Sequence, residues 1–332
     1  MTLVIAEVGV NHNGDIKLAK ELIEAAKYAG ADIVKFQTFK AELVVKENTP
    51  AAPYQKKRNL NIKNQYELIK NLELSYEEFY ELKEHADNLD IEFLSTAFDL
   101  PSISFLNDLN LNRYKIPSGE IDNYPYLREI AKTGKPIILS TGMSNLGEIE
   151  FALNTLIKYG ATKENITVLH CVSQYPAPIE HANLNAMSTI SNAFKVDIGY
   201  SDHTEGFIVS VYAVVLGAKI IEKHITLDRK MEGPDHLASI EPNEFKEMCS
   251  LIREVETIKG SGIKKLAKCE IENLSVVRRS IVAKENINVG DEFTDDNLMV
   301  KRPANGISPR YWQDLIGKIS NKKYKTGEKI DW

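Results

Sequence analysis

The chain has 332 residues, of which 43% are hydrophobic and 27% are charged, and its 41 basic and 47 acidic side chains leave a formal net charge of −6. This composition is that of an ordinary globular protein, and it argues against disorder and against a fibrous architecture. The mild acidity also argues against nucleic acid as the main partner, because a surface that binds phosphate backbones is normally basic.

The sequence shows no signal for secretion, for a membrane span or for a disulfide framework. The first segment turns acidic at Glu7, before the apolar core of a signal peptide is complete. No run approaches the roughly 18 apolar residues of a membrane helix. Three cysteines, Cys171, Cys249 and Cys269, are too few and too scattered for a set of disulfides. The sequence therefore predicts a cytoplasmic protein that does not contact membranes.

Short apolar, β-branched runs alternate with amphipathic stretches over the first 260 residues. The runs begin near Leu3, Asp32, Ile91, Arg113, Pro136, Ile166, Val196 and Lys219. Apolar residues recur at helical spacing between Asp15 and Gly30, which we expect to cap the two ends of a helix. Eight strand–helix units of this length predict an α/β protein with a closed (β/α)8 TIM barrel. A doubly wound open sheet is the alternative, but the GxGxxG turn typical of that fold is missing after the first run.

Two segments depart from this alternation. The polar segment from Ala41 to Ser75 follows the second predicted strand, so in a barrel it would lie over the mouth as a lid on the substrate. From about Val276 onward, short apolar runs are separated by turn residues, a pattern typical of a small β-rich domain. We therefore predict a barrel at residues 1–260, a polar linker at 261–275 and a β-rich domain at 276–332.

Polar residues lie at the C-terminal ends of the predicted strands, where a barrel carries its active site. Lysines and hydroxyl groups recur there, and together they suit a phosphate or a carboxylate. The structural alternative is that the lysines only pair with buried carboxylates such as Glu222. The cationic and hydroxyl residues concerned are Lys35, Ser95, Thr96, Lys115 and Ser118.

Two histidines, His203 and His224, end neighbouring predicted strands. Adjacent strands lie about 4.8 Å apart, so the two imidazoles could share one metal ion. Two histidines form an open site that leaves positions for water or a substrate oxygen, and the alternative is a pair of hydrogen-bonded barrel histidines. Glu7 and Glu120 are candidates for proton transfer. Cys171 fits a buried, inert thiol better than a nucleophile.

Several of these segments resemble the sialic acid synthase family, and they follow one another in the family's order along almost the whole chain. The matching segments are AEVGVNHNG from Ala6, VKFQT from Val34, YKIPSGE from Tyr114, LSTGM from Leu139, GYSDHT from Gly199, IEKH from Ile221, GPDH from Gly233 and VKRPANG from Val300. The last one resembles the antifreeze-like (SAF, β-clip) domain of these enzymes. The resemblance thus implies a TIM barrel followed by that small domain.

The family condenses phosphoenolpyruvate with an N-acylated mannosamine-type sugar and water, and it releases phosphate. The resemblance therefore implies a phosphoenolpyruvate-dependent carbon–carbon bond-forming transferase, with N-acetylmannosamine as the acceptor and N-acetylneuraminate as the product. The alternative is an N,N'-diacetyllegionaminate synthase that uses 2,4-diacetamido-2,4,6-trideoxymannose. Two remoter alternatives are another barrel that condenses phosphoenolpyruvate with an aldehyde and a catalytically silent scaffold.

The resemblance also implies a role for each matching residue. Glu7, Glu120 and Lys115 would be catalytic, and we hypothesise that Glu120 activates the water. The substrates would be held by Lys35, Gln37, Thr96, Ser118, Ser173, Tyr175, Ser201 and Asp235. His203 and His224 would ligate a divalent cation, usually Mn²⁺, with Mg²⁺ or Co²⁺ as alternatives. Arg302 of the small domain would reach across a domain-swapped homodimer to the acyl group of the sugar.

Overall fold

The computed structural model describes residues 1–50 and 64–332. The chain forms two compact units, Met1–Gly260 and Ser261–Trp332. The segment predicted as a linker lies at the start of the second unit and contains the first part of a helix, Ile271–Val277. Of the predicted lid, residues 51–63 lie outside the described residues.

Strands and helices alternate along the described part of the first unit. The strands are β1 (Leu3–Gly9), β2 (Ile33–Thr38), β3 (Glu92–Ala97), β4 (Tyr114–Ile116), β5 (Ile137–Ser140), β6 (Ile166–Cys171), β7 (Asp197–Asp202) and β8 (Ile220–His224). The helices are α1 (Ile16–Tyr28), α2 (Ala41–Val44), α3 (Gln65–Asn71), α4 (Tyr76–Asn88), α5 (Leu100–Asp108), α6 (Tyr124–Lys132), α7 (Leu146–Lys158), α8 (Asn185–Phe194), α9 (Ile208–Val215) and α10 (Pro242–Lys259). Each strand begins within one residue of the position predicted from the sequence.

The strands of the first unit form a parallel, nearly closed barrel. Hydrogen-bonded neighbours follow the order β3-β2-β1-β8-β7-β6-β5-β4, and β3 lies beside β4. The register places Glu7 of β1 opposite both Lys35 of β2 and His224 of β8. It also places Ser201 of β7 opposite Glu222 of β8. The predicted TIM barrel is confirmed, and its register brings charged residues of neighbouring strands side by side.

The helices pack their apolar faces on this barrel. In α1, Leu22 and Ile23 are buried, and the Asp15 side chain caps the first turn. In α7, Asn145 and Glu148 form a capping box at the first turn. Such helices cover the outside of the sheet, so the polar ends of the strands are left at the mouth of the barrel. None of the helices in the two described stretches is both long enough and apolar enough to cross a membrane.

The second unit has a core of its own. It contains α11 (Ile271–Val277), β9 (Ser280–Ala283), β10 (Leu298–Lys301) and α12 (Trp312–Leu315). β9 and β10 pair in antiparallel register. Buried apolar side chains, among them Ile281, Phe293 and Leu298, pack together between the strands and turns. The small β-rich domain predicted for this region is confirmed.

Candidate active site

A cavity of about 300 Å³, the catalytic cavity, opens at the C-terminal ends of the barrel strands. Its polar lining consists of Glu7, Lys35, Gln37, Thr96, Lys115, Ser118, Ser140, Ser173, Tyr175, Ser201, His203, Glu222 and His224. Of the site residues predicted for the first unit, the structure brings all together in this lining except Ser95, Glu120 and Asp235.

Two lysines and two glutamates form a buried network in the catalytic cavity. Lys35 Nζ lies 2.8 Å from Glu7 Oε2 and 3.3 Å from Glu222 Oε2. Lys115 Nζ lies 3.5 Å from Glu222 Oε1. Each of these side chains is at most 6% exposed. Buried charges need partners because desolvation costs several kcal/mol per ion, and this network is balanced when all four groups are ionised.

Burial and neighbouring charges shift the pKa values of these groups in different directions. Burial raises the pKa of the Glu7 carboxyl, although Lys35 opposes the rise. Burial disfavours the Glu222 anion as well, but Lys115 and Lys35 together hold the pKa of Glu222 well below its usual range. Burial lowers the pKa of Lys115, with a contribution from the Lys35 ammonium and against the effect of Glu222. Glu7 is therefore the carboxyl that takes up a proton first, while Glu222 stays ionised.

Several hydroxyl groups line the same cavity as the two ammonium groups. Lys35 Nζ donates a hydrogen bond to Thr96 Oγ1 at 3.1 Å. Ser118 Oγ accepts one from the backbone amide of Gly142 at 2.9 Å. Ser140 Oγ is buried and has no hydrogen-bond partner among the described residues. Ammonium and hydroxyl donors converging on one cavity fit an anionic ligand such as a phosphate or a carboxylate.

The two predicted metal ligands lie next to each other. The ring centroids of His203 and His224 are 5.6 Å apart. His203 Nδ1 donates to the carbonyl oxygen of Val172 at 2.7 Å, which leaves Nε2 as the unprotonated nitrogen. His224 Nδ1 is buried and has no hydrogen-bond partner in the described structure. Burial lowers the pKa of His203 to about 4, and burial together with His203 holds the pKa of His224 well below its usual value.

Two neutral imidazoles of this kind fit two positions of a divalent-cation site, since a ligating histidine must be deprotonated. Within residues 1–50 and 64–332, no three His, Cys, Asp or Glu side chains lie close enough to hold a metal ion by themselves. The other ligands would therefore be water or a substrate oxygen, as in an open catalytic site. The ion itself stays a prediction.

Three predicted site residues of the first unit lie outside the lining of the catalytic cavity. Ser95 Oγ shares a hydrogen bond with Thr38 Oγ1 at 2.7 Å. Asp235 lines a neighbouring cavity, with Oδ2 3.9 Å from His224 Nδ1, and burial raises the pKa of Asp235 to about 7. Glu120 is half-buried and accepts a hydrogen bond from the Asn123 side chain in its own turn. Arg302 is exposed in the second unit, directly after β10. The geometry of the first unit thus supports Asp235 as a site residue more directly than it supports Glu120.

Two residues of the catalytic cavity, Ser140 and Glu222, were not predicted as site residues. Ser140 ends β5 and Glu222 lies two residues before the end of β8, so their positions were a signal that they face the mouth. The structural alternative for the lysines is correct in one respect, because Lys35 and Lys115 do pair with carboxylates. The pairs line an open cavity, however, so they are also available to a ligand.

The comparisons with known proteins cover both units. The NeuB family matches residues 22–264, and the SAF domain matches residues 278–332. The chain is 54% identical to the N,N'-diacetyllegionaminic acid synthase of Campylobacter jejuni, over 99% of this chain and 98% of that protein. It is 45% identical to the protein of the same name from Legionella pneumophila, over 99% and 93% of the two chains. The crystal structure of N-acetylneuraminic acid (sialic acid) synthetase from Leptospira borgpetersenii matches with a TM-score of 0.74 and 35% identity, over 82% and 90% of the two chains.

These matches agree with the anion-binding chemistry of the cavity. The fold, the site and these matches together define the class of the protein as a phosphoenolpyruvate-dependent transferase that forms a carbon–carbon bond. More particularly, the chain belongs to the NeuB family, which makes nonulosonic acids, and it carries a C-terminal SAF domain. The resemblance predicted from the sequence is confirmed, and the two remoter alternatives lose their support.

Replacing Gly142 by alanine is expected to weaken phosphoenolpyruvate binding without unfolding the barrel. A Cβ at this position would lie 2.1 Å from Ser173 Oγ and 2.9 Å from Ser118 Oγ, so both hydroxyls would have to rotate away. Each hydrogen bond to a charged group contributes about 1.5–3 kcal/mol, so we expect KM for phosphoenolpyruvate to rise about 10- to 100-fold. Steady-state kinetics measure this rise. An unchanged KM, or an equal rise in KM for the acceptor sugar, would contradict the assignment of these hydroxyls.

Proposed function

We propose that the chain condenses phosphoenolpyruvate with 2,4-diacetamido-2,4,6-trideoxymannose and water to give N,N'-diacetyllegionaminate and phosphate. This choice of acceptor rests on the sequence identity of the chain to two proteins named N,N'-diacetyllegionaminic acid synthase, which is 54% and 45%. Identity to the N-acetylneuraminic acid synthetase is 35%. This difference favours the alternative acceptor of the sequence analysis over N-acetylmannosamine, which remains the second candidate.

In this proposal, Lys35 and Lys115 bind the phosphate and carboxylate of phosphoenolpyruvate with the hydroxyls of Thr96 and Ser118. Ser173 and Ser201 complete the set of donors. Phosphoenolpyruvate adds negative charge to a network that is balanced without it. The preorganised ammonium groups then stabilise the charge that develops as the phosphate leaves.

The bond changes require one proton to be delivered to the acceptor and one to be removed from the attacking water. C3 of phosphoenolpyruvate bonds to the aldehyde carbon, the water oxygen adds to C2, and the bond from C2 to the phosphate oxygen breaks as C2 becomes a ketone. The aldehyde oxygen gains a proton, and the water loses two, the last of them to the leaving phosphate. Glu7 is suited to deliver the first proton, because burial raises its pKa and lets it hold a proton beside Lys35. Removal of the second proton by Glu120 stays a hypothesis, which an undiminished turnover of Glu120→Gln would contradict.

We further propose that His203 and His224 hold a divalent cation, Mn²⁺ first and Mg²⁺ or Co²⁺ as alternatives. When bound, the ion supplies Lewis-acid polarisation of the aldehyde. The support from this chain is the pair of neutral imidazoles with a buried, unpartnered Nδ1 on His224. A domain-swapped homodimer in which Arg302 contacts the acyl group of the sugar on the partner's barrel is proposed from the family resemblance alone.

The experiment that tests this function is phosphate release from phosphoenolpyruvate with each acceptor, with Mn²⁺ or with a chelator. We expect release to need the metal and kcat/KM to favour the trideoxy sugar by at least tenfold, about 1.4 kcal/mol of discrimination. Preference for N-acetylmannosamine would make the chain an N-acetylneuraminate synthase. Release with neither sugar would refute both acceptors, and full release under the chelator would refute the metal.

A further inference from the structure

A second cavity, of about 290 Å³, adjoins the catalytic cavity and shares Gln37, Phe98 and Tyr175 with it. We call it the apolar cavity. Among the described residues, those that line it without touching the catalytic cavity are Val10, Phe39, Val44, Gln65, Leu68, Ile69, Leu72, Pro234 and Asp235. The catalytic cavity holds four charged side chains in mutual contact, whereas most of the described residues that line the apolar cavity are aliphatic or aromatic.

The walls of the apolar cavity are not part of the barrel core. Val10, Phe39, Leu68 and Leu72 form a hydrophobic cluster of their own, against which Phe98 packs. Each of the four is at most 8% exposed. The cluster is built from the chain just after β1, the chain just after β2, and helix α3. Apolar side chains in a protein interior normally pack without leaving large voids. An open cavity with apolar walls beside an active site therefore indicates a binding subsite.

Three polar residues of the apolar cavity, Gln37, Tyr175 and Asp235, lie on the side of the catalytic centre, and a fourth, Gln65, begins α3. Gln37 Nε2 donates to Glu7 Oε1 at 3.2 Å, and Asp235 Oδ2 is 3.9 Å from His224 Nδ1. An acceptor whose aldehyde is held between the histidines and phosphoenolpyruvate must extend its remaining carbons away from that centre. The boundary shared at Gln37 and Tyr175 leads such a chain into the apolar cavity.

We propose that the apolar cavity binds the end of the acceptor farthest from the aldehyde and selects a methyl group, not a hydroxymethyl group, at C6. This inference rests on the proposed function and adds the residues that determine its acceptor. A C6 hydroxyl would meet the hydrocarbon walls of Phe39, Leu68 and Leu72, and a buried hydroxyl without a partner is disfavoured. A C6 methyl loses only its contact with water, which favours binding.

The test uses two acceptors that differ only at C6: 2,4-diacetamido-2,4,6-trideoxymannose and 2,4-diacetamido-2,4-dideoxymannose. The intact protein is expected to favour the 6-deoxy sugar in kcat/KM by about 10- to 100-fold, the range that an apolar pocket gives for one small group. Leu68→Asn places an amide of similar size in the wall and is expected to lower this ratio at least about tenfold. Leu68→Met keeps the wall apolar and should hold the ratio within about twofold. KM for phosphoenolpyruvate, whose donors lie in the catalytic cavity, should stay unchanged in both variants.

Ile69→Asn is the second variant, because Ile69 is only partly buried and a polar group there endangers folding less. Stabilisation by phosphoenolpyruvate reports that each variant is folded. The inference is overturned if both Asn variants reduce kcat/KM equally for the two sugars, or if the intact protein does not distinguish them. Indifference at C6 combined with preference for diacetamido sugars over N-acetylmannosamine would overturn the subsite and leave the proposed function standing. Discrimination at C6 combined with preference for N-acetylmannosamine would overturn the proposed function and leave the subsite standing. No turnover of either diacetamido sugar would overturn the subsite and the proposed function together.

Discussion

Replacing His224 by phenylalanine is expected to lower kcat/KM by at least about a thousandfold while leaving the folded protein no less stable. Loss of a metal ligand removes several kcal/mol of transition-state stabilisation, and each 1.36 kcal/mol is a factor of ten in rate. His224 Nδ1 is buried without a hydrogen-bond partner in the described structure, so replacing it by carbon breaks no bond there. A phenyl ring also keeps the contacts with His203 and Tyr175, whose ring centroids are 5.6 and 5.7 Å away.

Thermal unfolding with and without Mn²⁺ separates the two parts of this prediction. An ion that binds only the folded protein raises its melting temperature, so the rise should be present in the wild type and absent in His224→Phe. His85→Asn is the control, because His85 pairs with Glu24 on the outer helices and lies outside the cavity. A variant that keeps Mn²⁺-dependent turnover would show that His224 is not a ligand. A lower melting temperature without metal would show that its Nδ1 has a structural partner.

The barrel and most of the catalytic cavity were predictable because both follow from local patterns. β-branched runs at regular spacing give the strands, and a parallel barrel places all their C-terminal ends at one mouth. A polar residue that ends an apolar strand, such as His224, must then face that mouth. Glu120 shows the limit of this rule. It also follows a strand, but a tight turn at Ser118–Glu120 and a hydrogen bond from Asn123 hold its carboxylate outside the lining.

Pairing between strands was not predictable in the same way. The sequence contains the carboxylate of Glu222 and the two lysines, but only the closed barrel shows that this carboxylate of β8 reaches both Lys35 of β2 and Lys115 of β4. The apolar cavity was not predictable for a similar reason, because its walls come from separate parts of the chain. They are formed by the loops after β1 and β2 and by α3, which lies in the segment predicted only as a lid. The helical spacing of Leu68 and Leu72 does not reveal what these side chains face.

Glu222→Gln is the second substitution with a large expected effect, and here the protein itself should lose stability. Glutamine has the shape of glutamate without its charge. Among the ion pairs of the described residues, those of Lys115 involve Glu222 alone, and Lys35 would keep only Glu7. Removing one partner of a buried pair costs about 3–5 kcal/mol. At roughly 2–4 °C per kcal/mol, we expect the melting temperature to fall on the order of 10 °C, and kcat/KM to fall at least about a hundredfold because two repelling ammonium groups no longer hold their positions.

The same substitution at a less buried pair is the matched control. Glu92 accepts two hydrogen bonds from Arg113 at 2.7 and 3.0 Å, and both side chains are about one-fifth exposed. Glu92→Gln should therefore cost no more than about 1 kcal/mol. Phosphoenolpyruvate provides the decisive readout, because its anionic groups can replace the missing charge beside Lys35 and Lys115. It should raise the melting temperature of Glu222→Gln by more than that of the wild type, whereas equal rises would mean that the lysines do not bind the anion and that Glu222 only fills space in the barrel.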